Sequence, residues 1–164
     1  MKVKLLLAAL VAAPAVALAQ APNDAQIAHI VVTANQVDID AGKFAQGKAK
    51  GKEVKDFAKQ MVTDHTAMMN EMKPLVAAAG QKPADSLDQR RQGFIDNLKS
   101  AKDADFDKTY IDQQVAGHQE ALDLMQGYAK DGSDAGLKGG AAKAVPKVQM
   151  HLDKAKSIQA SLKK

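Results

Sequence analysis

Chemistry in this chain has few candidate carriers, because there is no cysteine and there are only four histidines. One of them, His65, stands in the stretch MVTDHTAMMNEM over residues 61–72, among four of the seven methionines. An imidazole with thioethers at helical spacing suits a soft ion such as Cu(I), which makes Met61, Met69 and Met72 possible soft-metal ligands. The same methionines, spaced as they are, also read as the flexible filling of a core stripe, and that is the plainer account of them.

A wheel at ~100° per residue sets the other histidines beside this one. His65 falls at the centre of the apolar stripe Val54, Phe57, Met61, Met68, Met72, Leu75 and Ala79. His118 is central among Tyr110, Ile111, Gln114, Ala121, Leu122 and Met125, and His151 lies within the arc of Val148, Leu152, Ala155 and Ile158. An earlier segment adds Asp38 to the stripe Ile27, Ile30, Val31, Ala34, Ala41 and Ala45. Four segments therefore each turn one ionisable side chain toward a common interior, while His29 lies off its stripe and is expected at the surface.

A buried carboxylate without a partner costs several kcal/mol, so Asp38 must meet a donor, a cation or water. Two readings remain open. In one, His65, His118, His151 and Asp38 hold a transition metal (Cu, Zn, Fe or Mn), with Asp64, Tyr110 and Gln114 in support. In the other the cluster is a self-satisfied polar core, Asp38 accepting from an imidazole and Gln114 and Tyr110 completing the bonds. Asp64 flanks its stripe, where an ion pair between helices is expected before a role in orienting an imidazole.

Carboxylate-bridged di-iron chemistry needs Glu-x-x-His on two helices. Three residues before His65, His118 and His151 stand Val62, Val115 and Val148, so that site is not expected. No serine sits beside an inward histidine, and Gly139-Gly140 lacks the pattern of a phosphate loop. No catalytic residue is assigned, and an enzyme is the less favoured reading.

Positioning these groups falls to helices. Alanine, lysine, glutamine, leucine and methionine dominate, aromatics make up 4 % of the chain, and strand-like runs are absent after the first residues. Asn23 caps a helix to about residue 47, and a second runs from about Glu53 to Ala79, closed by Gly80 and Pro83. A short helical pattern spans Leu87 to Leu98. A third long helix runs from about Asp103 or Asp105 to Lys130, and a fourth from after Ser133 to about Leu162, its first half weakened by Gly139, Gly140 and Pro146. Four such amphipathic helices make an all-α four-helix bundle. The long crossover over residues 80–103, with its short helix, favours ferritin-like topology, the second and third long helices running parallel. His65 and His118 then sit at one level, with Asp38 and His151 about a turn away.

The first residues, MKVKLLLAALVAAPAVALAQ, set two lysines before an apolar run and an Ala-Leu-Ala triplet, the form of a signal peptide cut after Ala19. A single domain over 20–164 and a periplasmic location follow, with peripheral envelope association allowed by the lysine-rich end. No second run is long and apolar enough to span a membrane. Without Lys2 and Lys4 the balance is 21 basic to 19 acidic residues, which excludes the basic stripe of a nucleic-acid binder. Protein partners and the choice between monomer and homo-oligomer are left open.

Taken in order, AN-x-x-D with Gly42, FAKQMVTDH, FDKTYIDQQVAGH and VPKVQMHLDKA resemble the bacterial family called domain of unknown function 4142. The resemblance implies an exported helical bundle of ferritin-like type, sometimes labelled an outer membrane protein, whose activity is unassigned. Its motif positions fall on Asn35, Asp38, Asp64, His65, Tyr110, His118, Pro146 and His151, which adds Asn35 to the supporting residues. Asp38 departs from the glutamate more usual there, and Gly139-Gly140 from helix-favouring residues. The reading is then an exported bundle holding a transition metal, or a non-catalytic envelope or stress-related protein with a self-satisfied core.

Overall fold

A computed structural model describes residues 22–163, so the leader expected over 1–19 lies outside the described residues. The chain forms five helices: α1 (Asp24–Lys48), α2 (Lys52–Ala78), α3 (Gln89–Ser100), α4 (Phe106–Asp131) and α5 (Ala135–Ser161). Asn23 and Gln26 close a reciprocal capping box at the start of α1, each side chain accepting from the other's backbone at 2.9 Å. At the end of α2, Gly80 takes φ 70° and Gln81 N–H returns to the Val76 carbonyl, the αL stop for which glycine is suited. Asp88 and Asp134 cap α3 and α5 with their side chains.

Packing joins α1 with α2 and α4 with α5 as two hairpins, while α3 lies over α1 and α4. Three contacts between ends fix the direction of each helix. Asp107, in the first turn of α4, accepts from the backbone N–H of Lys50 and Gly51 at 3.0 and 2.7 Å. Gly51 brings no side chain to cap α2, and Asp107 serves that end instead. At that same end Ser161 of α5 meets Glu53 of α2, and at the opposite end Tyr128 donates to Asp24. Thus α2 and α4 run parallel and the crossover returns along the bundle, the topology expected from its length.

Helix α5 runs unbroken through Gly139, Gly140 and Pro146. At Gly140 α5 lies close against α2: a Cβ there would stand 2.8 Å from Leu75 Cδ1 and 2.9 Å from Met72 Sδ. Gly42 does the same for α1, facing Val62 Cγ2 at 2.8 Å and the Ala58 carbonyl at 3.0 Å. The α2 stripe steps from His65 to Met69, Met72 and Val76 rather than to Met68 and Leu75, which are half-buried. Leu162, expected as the last inward residue, is exposed, because α5 stops at Ser161. Burial on α1 covers a broad arc, including Val32, Thr33, Asn35 and Ile39. The added helix α3 covers part of α1's outer side.

Two large apolar clusters and a smaller one of Leu122, Val148 and Leu152 fill the bundle. Phe57, Met61, Leu98, Phe106, Tyr110 and Ile158 belong to the one toward the α1–α2 turn, and Met69, Met72, Val76, Met125, Tyr128 and Leu137 to the one toward the opposite end. His65 lies between Met61 and Met69 in sequence, so the histidines form a polar layer between two apolar ones.

Candidate metal centre

His65, His118 and His151 are 5 %, 2 % and 0 % exposed, and one ring nitrogen of each lies within 4.8 Å of the others. Their ring centroids are 5.3–5.4 Å apart in all three pairs, close to an equilateral triangle. Side-chain lean explains how an offset of a turn closes. Ser161 meets Glu53, and His151 precedes Ser161 by two residues fewer than His65 follows Glu53, an offset of ~3 Å. Side chains lean toward their own helix N-terminus, so those on antiparallel α2 and α5 lean toward each other.

Each imidazole has one nitrogen engaged, and the partner in each case decides the tautomer. His118 Nδ1 donates to the Gln114 backbone carbonyl at 2.9 Å, which can only accept. Asn35 spends its amide N–H on the Val31 carbonyl, so its oxygen faces His65 Nδ1 at 3.0 Å and accepts from it. His151 Nε2 donates to Asp64 at 2.9 Å. What remains are three basic nitrogens: Nε2 of His65, Nε2 of His118 and Nδ1 of His151. The first two stand 3.3 Å apart, and the third is buried with no partner among the described residues.

Protonation would relieve this only at a high cost. Burial holds the His65 imidazole down to about 4, the Asp38 charge offsetting part of the effect. Burial likewise lowers His151, against the opposing pull of its Asp64 bond. Burial pushes the Asp64 carboxyl up, but its bonds to His151 and Gln60 and the charge of Lys147 outweigh this and hold it below the usual range. His65 and His151 therefore present neutral rings at pH 7, the form that binds metal.

Asp38 comes within 3.6 Å of His65 Nε2 through one oxygen and accepts from Gln114 Nε2 at 3.0 Å through the other. Its side chain is 17 % exposed, less enclosed than the histidines. Burial raises its carboxyl and the histidines with Gln114 lower it further, so it too is ionised at neutral pH. Tyr110, expected to complete the polar bonds, does not: its hydroxyl is buried without a partner among the described residues, as is Gln114 Oε1. Met61 packs in one of the large apolar clusters and Met69 and Met72 in the other. Asp64 accepts from His151 Nε2 and also pairs with Lys147 at 3.4 Å. Lys147 went unnoticed in the sequence, although it precedes His151 by one turn. His29 is half exposed and apart from the cluster.

A buried three-histidine layer in an antiparallel helical bundle of ferritin-like topology defines the class of protein. Residues 9–158 match the model of the family described as a domain of unknown function (DUF4142), and the chain belongs to that family. No curated protein matches it in sequence. Among solved structures it is similar to a fragment of a DUF305 protein from Deinococcus radiodurans, with a TM-score of 0.73 at 11 % identity, covering 85 % of this chain and 97 % of that one. It is similar also to CopM in the Cu(II)-bound form, with a TM-score of 0.72 at 18 % identity, covering 87 % and 99 %. At these identities the likeness is one of fold.

Proposed function

We propose that this chain is a periplasmic transition-metal-binding protein that holds one ion through His65 Nε2, His118 Nε2 and His151 Nδ1, with Asp38 as the acidic neighbour. The observation that carries the reading is the set of three buried imidazoles whose other nitrogens are each engaged by a hydrogen-bond acceptor. Metal-ligating histidines are held in this way, and the outer partner fixes ring and tautomer. Two nitrogens bound to one tetrahedral ion at ~2.0–2.1 Å lie ~3.3 Å apart, so His65 and His118 are already at binding separation. Three nitrogens and a carboxylate suit zinc or copper, and copper has the higher intrinsic affinity for such a set. The fold shared with a protein whose structure holds Cu(II) agrees with copper. The signal-peptide form of residues 1–19 supports export.

A self-satisfied core is the competing reading, and His151 Nδ1 weighs against it. A buried acceptor left unpaired costs ~1–3 kcal/mol, which an apolar residue of similar shape would avoid. Elemental analysis of untagged protein, followed by melting with Cu(II) or Zn(II) against chelator, tests the proposal. A metal-dependent rise of several degrees is expected. An unchanged melt with both ions, at concentrations well above the protein's, would return the cluster to a structural role.

A further inference from the structure

The histidine layer is approached from two sides, and they reach different atoms. Between α2 and α5 a cleft of about 480 Å³ ends on Asp64. Asp64 holds His151 Nε2, so whatever enters there meets an imidazole nitrogen that is already engaged. Between α1, α3 and α4 lies a smaller pocket of about 60 Å³ that ends on Asp38 and Gln114. Asp38 is the group whose oxygen faces His65 Nε2, and Gln114 brings a buried Oε1 with no partner among the described residues. This second pocket therefore leads to the open side of the cluster.

Gly117 supports the same conclusion. It lies in the interior of α4, one residue before His118, where glycine weakens a helix. No close approach requires it: a Cβ there would meet nothing within 4 Å. It lines the pocket, so the missing side chain leaves space beside Asp38. At the mouth, α3 contributes Arg90, which lies over Phe94 and pairs with Glu120, and Arg91, which pairs with Asp88. A water needs only ~10–15 Å³ and a few polar partners, so the pocket can take several waters or one ligand of about three heavy atoms.

We propose that this pocket admits a small exogenous donor, of the size of water or a linear triatomic anion, to the metal on its Asp38 side. The ion is then an exchangeable centre with an external ligand position rather than a closed structural one. The inference rests on the metal reading above, and the test separates the two. Full-length mature protein is loaded with Cu(II), metal retention is read by elemental analysis after desalting, and azide is titrated while absorbance and electron paramagnetic resonance are followed.

Retained copper whose spectrum moves saturably with azide, with a new charge-transfer band, is the expected result. Gly117→Leu, which fills the pocket, should retain copper with an unchanged starting spectrum and bind azide at least tenfold more weakly. Gly117→Ala should fall between, and a melt of each variant confirms folding. Retained copper with no azide response, an azide response in Gly117→Leu equal to the original, or azide that strips copper into the filtrate would each overturn the inference and leave the metal reading standing. Failure to retain copper would remove both.

Discussion

His65 and His118 face each other through Nε2 atoms 3.3 Å apart, and neither carries a hydrogen to place between them. The Asn35 oxygen and the Gln114 carbonyl have already taken the proton of each ring on the other nitrogen. Two lone pairs so placed repel, and an ion between them would turn that repulsion into two bonds. His65→Ala and His118→Ala should each abolish the metal-dependent rise in melting temperature. Each should also lower the metal-free melt by the ~2–4 kcal/mol usual when a large buried side chain is truncated. Differential scanning with and without metal separates the two effects.

Asp64 tests whether the outer hydrogen bond matters. In Asp64→Ala the three imidazoles remain, but His151 loses the acceptor that fixes its tautomer. Metal affinity should fall ~10–100-fold, measured by competition with a chromophoric chelator. Lys147→Ala removes only a half-exposed partner at 3.4 Å and should change affinity and stability little.

Stability without metal should depend on pH in the acid range. His65 titrates at about 4 in the folded chain and near 6.5 when unfolded, so between those values the unfolded chain binds more protons. Stability is therefore complete above about pH 7 and is lost as pH falls from about 6.5 to about 4, by ~3 kcal/mol from this group. His151, also lowered, acts in the same direction. Urea titrations at pH 7.5, 6 and 5 should show the slope, and His65→Gln should reduce it to the share that His151 contributes.

Two helix glycines should respond in opposite senses to alanine. Gly42→Ala drives a methyl against Val62 and the backbone oxygen of Ala58, which has nowhere to go, and should destabilise by ~1–3 kcal/mol. Gly139→Ala meets nothing within 4 Å and should stabilise by ~0.5–1 kcal/mol. Thermal melts of the two single variants decide both signs.

Much of the arrangement was legible because helical periodicity and caps are local properties. The Asn23 cap, the Gly80 stop, the long crossover and the common level of His65 and His118 all follow from residue type and spacing. Asn35 did not follow from spacing and entered through the family resemblance alone. It lies outside the stripe drawn for α1, on the side packed against α2, where it meets His65. The tautomers of His65 and His151 were equally illegible, since each depends on a partner, Asn35 or Asp64, whose rotamer is set by the assembled bundle, whereas that of His118 rests on the Gln114 backbone carbonyl of its own helix. Asp107 gave no signal either: its role exists only because Gly51, 56 residues away, lacks a cap of its own.

The cluster is divided between the two hairpins. Asn35, Asp38, Asp64 and His65 come from α1 and α2, His118 and His151 from α4 and α5. Neither half can form the site alone, so an ion held there acts as a rivet across the seam and adds its binding energy to the docking of one hairpin on the other. Metal supply would then govern more than occupancy. It would set how often the halves part, and so how long the chain survives a protease able to cut the crossover between them.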